Sequence, residues 1–226
     1  MDTHPDSPES DLQGVQVAVL AKAPIAGLAK TRLIPALGAH GAARLQRALT
    51  RNAVAVAQAA SLGPVTLWCA PNAEHRFFQA LARTAAVVCR EQPEGDLGQR
   101  MHLAFRWHCM QGPLLLTGTD CPPLRPTHLR QAARALLDGD DAVFFPAQDG
   151  GYVLVGLRQP QPALFDGMAW NTPEVMSETR KRAQALGLRL REFETLWDVD
   201  TPSDLARWRA STSTSTSTSA ILAVSP

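Results

Sequence analysis

Three cations crowd one short loop near the start of the chain. Residues 21–38 read A-K-A-P-I-A-G-L-A-K-T-R-L-I-P-A-L-G, placing Lys22, Lys30 and Arg32 among Pro24, Gly27, Pro35 and Gly38. An apolar run, 15–20, leads directly into this loop. A strand feeding a Gly/Pro-broken loop with several cations, ahead of a long helix, suits a bound phosphate. The backbone can approach an anion where Gly27 has no side chain, and the cations neutralise it. A solvated basic loop has the same composition, so the carboxylates elsewhere bear on the choice.

Asp120 ends the apolar run 113–117 and precedes Pro122 and Pro123, which stiffen the exit. In open α/β sheets ligands sit outside the carboxyl ends of strands, where a rigid carboxylate suits Mg²⁺ or Mn²⁺. Asp120 could instead cap a turn. Asp198 and Asp200 stand at i and i+2 and share a side if the backbone is extended. They are candidates for the same metal ion, although acidic residues ahead of a helix also suit its dipole. Asp149-Gly150-Gly151-Tyr152 reads either as a hairpin turn or as a glycine floor with an aromatic wall for a sugar or flat ring. Asp96 caps a helix starting at Leu97 or, with Arg100, lines the cleft. Trp170 is a ligand wall or a packed aromatic beneath a loop.

These residues need elements to position them. Short apolar runs at 15–20, 65–69, 86–89, 113–117, 142–145 and 152–157 read as strands. Helical stretches at 39–60, 72–83, 97–111, 127–137 and 173–186 separate most of them. The alternation predicts an α/β fold with a mostly parallel sheet. Runs 142–145 and 152–157 are too close for a crossover helix, so they form a hairpin and the sheet is mixed. Thr172-Pro173 and Thr201-Pro202 read as helix starts, with Asp204 completing a capping-box variant at the second.

The chain has 226 residues, 45% of them hydrophobic and 19% charged, with a net charge of +1. That fits one globular domain and provides no field to recruit nucleic acid or an anionic membrane. No window of 18 apolar residues occurs, and the acidic, Pro/Ser-rich start does not read as a signal peptide; a cytoplasmic location is expected. Four cysteines without a C-x-x-C pair and scattered histidines argue against zinc. Residues 1–13 and the Ser/Thr-rich 211–226 are expected to be disordered tails around a domain at 14–210. The absence of G-x-G-x-x-G after the first strand argues against a doubly wound dehydrogenase.

Taken in order, A-K-A-P-x-x-G-x-x-K-T-R-L-x-P-x-L-G, D-L-G-x-R-M, G-T-D-C-P, D-G-G-Y-x-L-x-G-L, W-N-T and D-V-D-T-P-x-D-L resemble a family of bacterial GT-A-type proteins, the arsenosugar-biosynthesis-type glycosyltransferases. The resemblance covers about 15–209 and implies a three-layer Rossmann-like sheet that binds a nucleoside di- or triphosphate. It implies phosphate-binding roles for Lys22, Lys30 and Arg32, a metal-binding role for Asp120, and a second metal contact from Asp200 or Asp198. Asp149, Gly150, Gly151 and Tyr152 would shape the acceptor or sugar side. Asp120 lies in G-T-D-C rather than D-x-D, and the loop lacks G-G-x-G-T-R, so two reactions stay open. One is glycosyl transfer from a nucleotide sugar to a small-molecule acceptor. The other is nucleotidyl transfer from an NTP to a phosphorylated acceptor. A non-catalytic nucleotide-binding regulator is a third reading.

Overall fold

In a computed structural model, residues 12–213 are described. Seven strands form a single sheet in the order β3-β2-β1-β4-β6-β5-β7. They are β1 (Gln16–Lys22), β2 (Val65–Ala70), β3 (Val88–Glu91), β4 (Leu114–Thr117), β5 (Ala142–Pro146), β6 (Tyr152–Leu157) and β7 (Leu190–Glu192). The first half is parallel, with β1 between β2 and β4. β6 runs antiparallel to both β4 and β5, and β7 pairs parallel to β5. The sheet is therefore mixed, and the hairpin turns through residues 147–151, where Ala147 N–H donates to the Gly151 carbonyl at 2.9 Å.

Alternation along each strand sends side chains to two cores. Val17 and Val19 of β1 pack with α1 (Ile34–Ala59), α2 (Arg76–Ala85) and α4 (Pro126–Leu137). Ala18 packs on the opposite face, with α3 (Leu97–His108) and α5 (Val175–Ala185). Covered on both faces, the central strands are almost wholly buried, as their continuous apolar runs require. A third cluster joins Leu33, Leu45 and Leu49 to Val199, Leu205 and Trp208. It packs the end of the cationic loop against α6 (Pro202–Ser213).

Several boundaries differ from the sequence reading. α1 is broken at Gly38 (φ 68°, ψ 164°), so its body starts where the helix was expected. Ala86 is a left-handed helix cap and not the start of β3. Thr172 caps no helix: its hydroxyl donates to the Ala169 carbonyl, and α5 starts at Val175. Thr201 does cap α6, with the Asp204 carboxylate accepting from Thr201 N–H at 2.8 Å. Leu12 is 4% exposed and belongs to the core, and α6 runs to Ser213, so both tail boundaries move outward. The remaining tail residues, 1–11 and 214–226, lie outside the described residues.

One buried polar bridge makes the fold sensitive to acid. His108 Nδ1 lies 2.7 Å from Gln16 Oε1, Gln16 Nε2 donates to the His108 carbonyl, and Trp68 Nε1 donates towards His108 Nε2 at 3.3 Å. Nε2 must stay unprotonated to accept that bond. Burial, reinforced by the Arg90 charge, pushes the imidazole down to about 4 from 6.5. Because the folded value is depressed, the stability it contributes is present above pH 6.5 and is lost as pH falls towards 4. The expected loss is about 3 kcal/mol. His108→Gln should flatten that part of the pH dependence in urea unfolding between pH 7 and 4.

Candidate functional site

The site lies at the carboxyl ends of β1 and β4, which are adjacent and parallel. β1 delivers Lys22 and β4 leads to Asp120, so both expected residues reach one cleft. A cavity of about 400 Å³ there is lined by Lys22, Arg100, Asp120, Tyr152, Gln92 and Asn171, among others. Arg100 Nε is buried with no hydrogen-bond partner among the described residues. A second cavity of about 310 Å³ adjoins it, lined by Arg32, Gln148, Asp149, Trp197, Asp198 and Asp200 with Thr201 and Asp204. Another of about 390 Å³, between Leu12, Arg130 and Phe193, contains none of the motif residues.

Asp120 is oriented from beneath by a chain of hydrogen bonds. Gln46, buried in α1, donates to Thr119 Oγ1 at 3.0 Å, and Thr119 donates to Asp120 Oδ1 at 2.9 Å. Val199 N–H donates to the Asp120 carbonyl at 2.8 Å, which ties the Asp198–Asp200 segment to the end of β4. Asp120 Oδ2 lies 3.0 Å from Lys30 Nζ, and the same ammonium meets Asp200 Oδ1 at 2.9 Å and the Val199 carbonyl at 2.6 Å. Asp200 Oδ2 faces Arg32 Nη1 at 3.8 Å.

The placement of Lys30 departs from its expected phosphate role. Residue 30 adopts a left-handed backbone (φ 49°, ψ 48°) that turns the side chain inward, leaving it 5% exposed. Burial opposes its charge, but the Asp120 and Asp200 carboxylates outweigh burial and hold its pKa above the ordinary lysine value. Arg32 is 72% exposed and belongs to the second cavity, apart from Lys22. Gly27 (φ 86°) is exposed on the loop and lines neither cavity.

Other expected residues divide between lining and support. Asp96 is a helix cap: it accepts from Gln99 N–H at 2.8 Å while Gln99 Oε1 accepts from its own N–H. Gly150 and Gly151 shape a turn. A Cβ on Gly150 (φ 90°) would lie 2.1 Å from the Pro173 carbonyl oxygen, and Gly151 N–H donates to Asp149 Oδ1. Asp149 faces the second cavity and Tyr152 the first. Trp170 sits behind the wall, against Gly98 and Tyr152.

Two glutamines carry no local sequence signal. Gln46 is one. Gln92, just past β3, donates from Nε2 to the carbonyls of both Ala21 and Trp68, which fixes its amide on the cavity wall.

Asp198 is half-buried next to this network. Burial first, and then the Asp120 and Asp200 charges, push its carboxyl up to about 7, against the opposing pull of Lys30. A raised folded pKa means that its contribution to stability is full below the ordinary value of 3.8 and is lost as pH climbs through 7. Asp198→Asn is therefore expected to unfold roughly 2 kcal/mol later than wild type at pH 8 and at the same point at pH 4. Urea titrations at the two pH values check this.

A divalent cation is the customary partner of such carboxylates, so the donor set needs testing for one. The aspartates converge as expected, but the bridging point between Asp120 and Asp200 is taken by an ammonium with three oxygen partners. Two carboxylates there are matched by two cations, Lys30 and Arg32. Among the described residues no group of three or more His, Cys, Asp or Glu is placed to hold a metal ion. The residues as arranged do not fit a bridging metal.

A mixed seven-stranded α/β sheet, with its cleft at the ends of β1 and β4, defines the Rossmann-like class of nucleotide-diphospho-sugar transferases. The chain belongs to the DUF2064 family, described as an uncharacterized protein conserved in bacteria, whose model matches residues 53–172. No curated protein matches it. A solved structure from Desulfovibrio desulfuricans G20, provisionally assigned as a nucleotide-diphospho-sugar transferase, is 26% identical. It covers 93% of this chain and 94% of that one, with a TM-score of 0.83. Two more distant structures share the fold. 4-Diphosphocytidyl-2C-methyl-D-erythritol synthase of Anaerococcus prevotii DSM 20548 has 10% identity, coverage of 90% and 100%, and a TM-score of 0.60. Glucosyl-3-phosphoglycerate synthase of Mycobacterium tuberculosis, solved with Mn²⁺, UDP and glucosyl-3-phosphoglycerate, has 9% identity, coverage of 92% and 81%, and a TM-score of 0.55. No helix among the described residues is long and apolar enough to cross a membrane.

Proposed function

We propose that the protein is a transferase acting on a nucleotide-activated donor, and that the group it moves is a sugar passed from a nucleotide sugar to a small-molecule hydroxyl. The observation that carries this reading is the convergence of Lys22, Arg100 and Asp120 on one cavity at the strand ends. Lys22 and Arg100 would hold the diphosphate, Arg100 through a fork of donors that can take two oxygens at once. Charge that develops on the leaving diphosphate is then met by the two cations that line the cleft. The adjoining cavity, with Asp149, Asp198 and Asp200 against the single cation Arg32, suits a neutral hydroxyl acceptor better than a phosphorylated one. Asp198 or Asp149 would take the proton from that hydroxyl, and a carboxyl near 7 is well matched to the task. The motif-level resemblance to arsenosugar-biosynthesis-type glycosyltransferases supports the same choice.

Mn²⁺ in the glucosyl-3-phosphoglycerate synthase structure supports divalent-metal use by that relative, and a metal ion bound there would supply Lewis-acid neutralisation of phosphate. No step here is routed through one, because the carboxylates that would hold it are bridged by Lys30.

A thermal-shift panel of UDP, CTP, GTP, UDP-glucose and related nucleotide sugars tests the reading, since ligands selective for the native state raise apparent stability. Stabilisation by a nucleotide sugar, with release of nucleoside diphosphate when a polyol acceptor is added, is the expected result. Pyrophosphate release from a triphosphate and a sugar phosphate would replace it with nucleotidyl transfer. No shift with any nucleotide would remove it.

A further inference from the structure

We propose that Lys30 is the resident counter-cation of the cleft, so that an ammonium and not a divalent metal ion bridges Asp120 and Asp200. This inference does not depend on which group is transferred.

Geometry is the first argument. An ammonium has three donors, and Lys30 Nζ finds three oxygens: Asp120 Oδ2 at 3.0 Å, Asp200 Oδ1 at 2.9 Å and the Val199 carbonyl at 2.6 Å. None of its donors is left over for a phosphate.

The second argument is that this position is built and not visited. The left-handed backbone at residue 30 aims the side chain inward, and Leu33, three residues on, is anchored in the cluster with Val199 and Leu205. The carbonyl that Nζ bonds belongs to Val199, itself held by its N–H on the Asp120 carbonyl. Loop, strand end and the Val199–Asp200 segment therefore fix one another around the ammonium.

Charge and coordination give the third. Asp120 Oδ1 already accepts from Thr119, and Asp200 Oδ2 faces Arg32. A metal ion entering between the carboxylates would sit beside a buried positive charge. Mg²⁺ in particular demands near-octahedral oxygen geometry and keeps several waters, for which this bridge has no room while Nζ occupies it. The raised pKa of Lys30 agrees with a permanent cation.

Free Mn²⁺, titrated on the full chain and followed by electron paramagnetic resonance, tests the proposal. Wild type and Asp120→Asn are expected to titrate alike, and adding UDP should leave that equality unchanged. Lys30→Met keeps most of the side chain's length without its charge, frees both carboxylates from the ammonium, and should bind Mn²⁺ about tenfold tighter than wild type or better, because site affinity follows ligand charge. Lys30→Met/Asp120→Asn should lose that gain. Mn²⁺ binding by wild type that falls in Asp120→Asn, with or without UDP, would overturn the proposal. So would a folded Lys30→Met with no gain. The comparison of wild type with Asp120→Asn decides the matter even if Lys30→Met does not fold, and the arms without UDP decide it even if the protein binds no nucleotide.

Discussion

Replacing Lys22 and Arg100 together by alanine is expected to weaken binding of a nucleoside diphosphate about a thousandfold, with the fold unchanged. Each cation can make a charge-assisted hydrogen bond to phosphate, worth roughly 1.5–3 kcal/mol, and each 1.4 kcal/mol is tenfold in affinity. Lys22 is exposed at the end of β1, and the buried Arg100 Nε has no hydrogen-bond partner among the described residues, so its removal breaks no hydrogen bond at that atom. Arg100→Lys should recover little of the loss, because the fork geometry goes with the guanidinium. Arg32→Ala is expected to change diphosphate affinity far less, as Arg32 lies in the adjoining cavity and is largely exposed. Calorimetric titration with UDP and circular dichroism provide both readouts. Unchanged affinity in the double variant would move the nucleotide out of this cavity.

The second large effect is on stability. Asp120→Asn/Asp200→Asn leaves the Lys30 ammonium buried among neutral oxygens, with no negative charge left to pair with it directly. Removing the partners of a buried charge is strongly destabilising, and a loss of about 3 kcal/mol is expected at pH 7. Asp120→Asn alone should lose about 1 kcal/mol, since Asp200 still pairs with the lysine and both carboxylates are partly solvated. The pH dependence identifies the cause. In wild type the folded pKa of Lys30 is raised, so its contribution is present below the ordinary 10.5 and is lost only above the raised value. In the double variant, burial without partners lowers that pKa instead. Its deficit should therefore narrow as pH approaches 10.5, where an unpaired lysine can be buried neutral. A deficit independent of pH would mean that the loss comes from packing.

Much of the frame was legible because it rests on local patterns. Continuous apolar runs marked β1, β2, β4, β5 and β6, and the hairpin followed from the short spacing and the Asp149-Gly150-Gly151 turn. Asp120 was legible through its place at the end of β4. What escaped depends on contacts between distant segments. β7 is three residues, Leu190–Glu192, partly or fully exposed, so no apolar run announces it. Gln46 reads as an ordinary helix residue until Thr119 is placed against it. Lys30 was grouped with Lys22 and Arg32 by sequence proximity, but its left-handed backbone turns it away from Lys22 and hands it to Asp120 and to Asp200, whose other oxygen faces Arg32. The glycines of the D-G-G turn are required by the Pro173 backbone and the turn itself, a reason that composition alone cannot distinguish from a ligand floor.

The contact between Lys30 and the Val199–Asp200 segment spans 169 and 170 residues of sequence. On the ribosome, at about 5–20 residues per second, the lysine waits roughly ten seconds or more for its partners to be made. During that interval β1, β2 and β4 can already assemble around Asp120, while Lys30 lacks its second carboxylate and its carbonyl. The cleft is thus closed electrostatically by a segment made after every strand, and a nascent chain stopped before Val199 would carry all seven strands without a finished site.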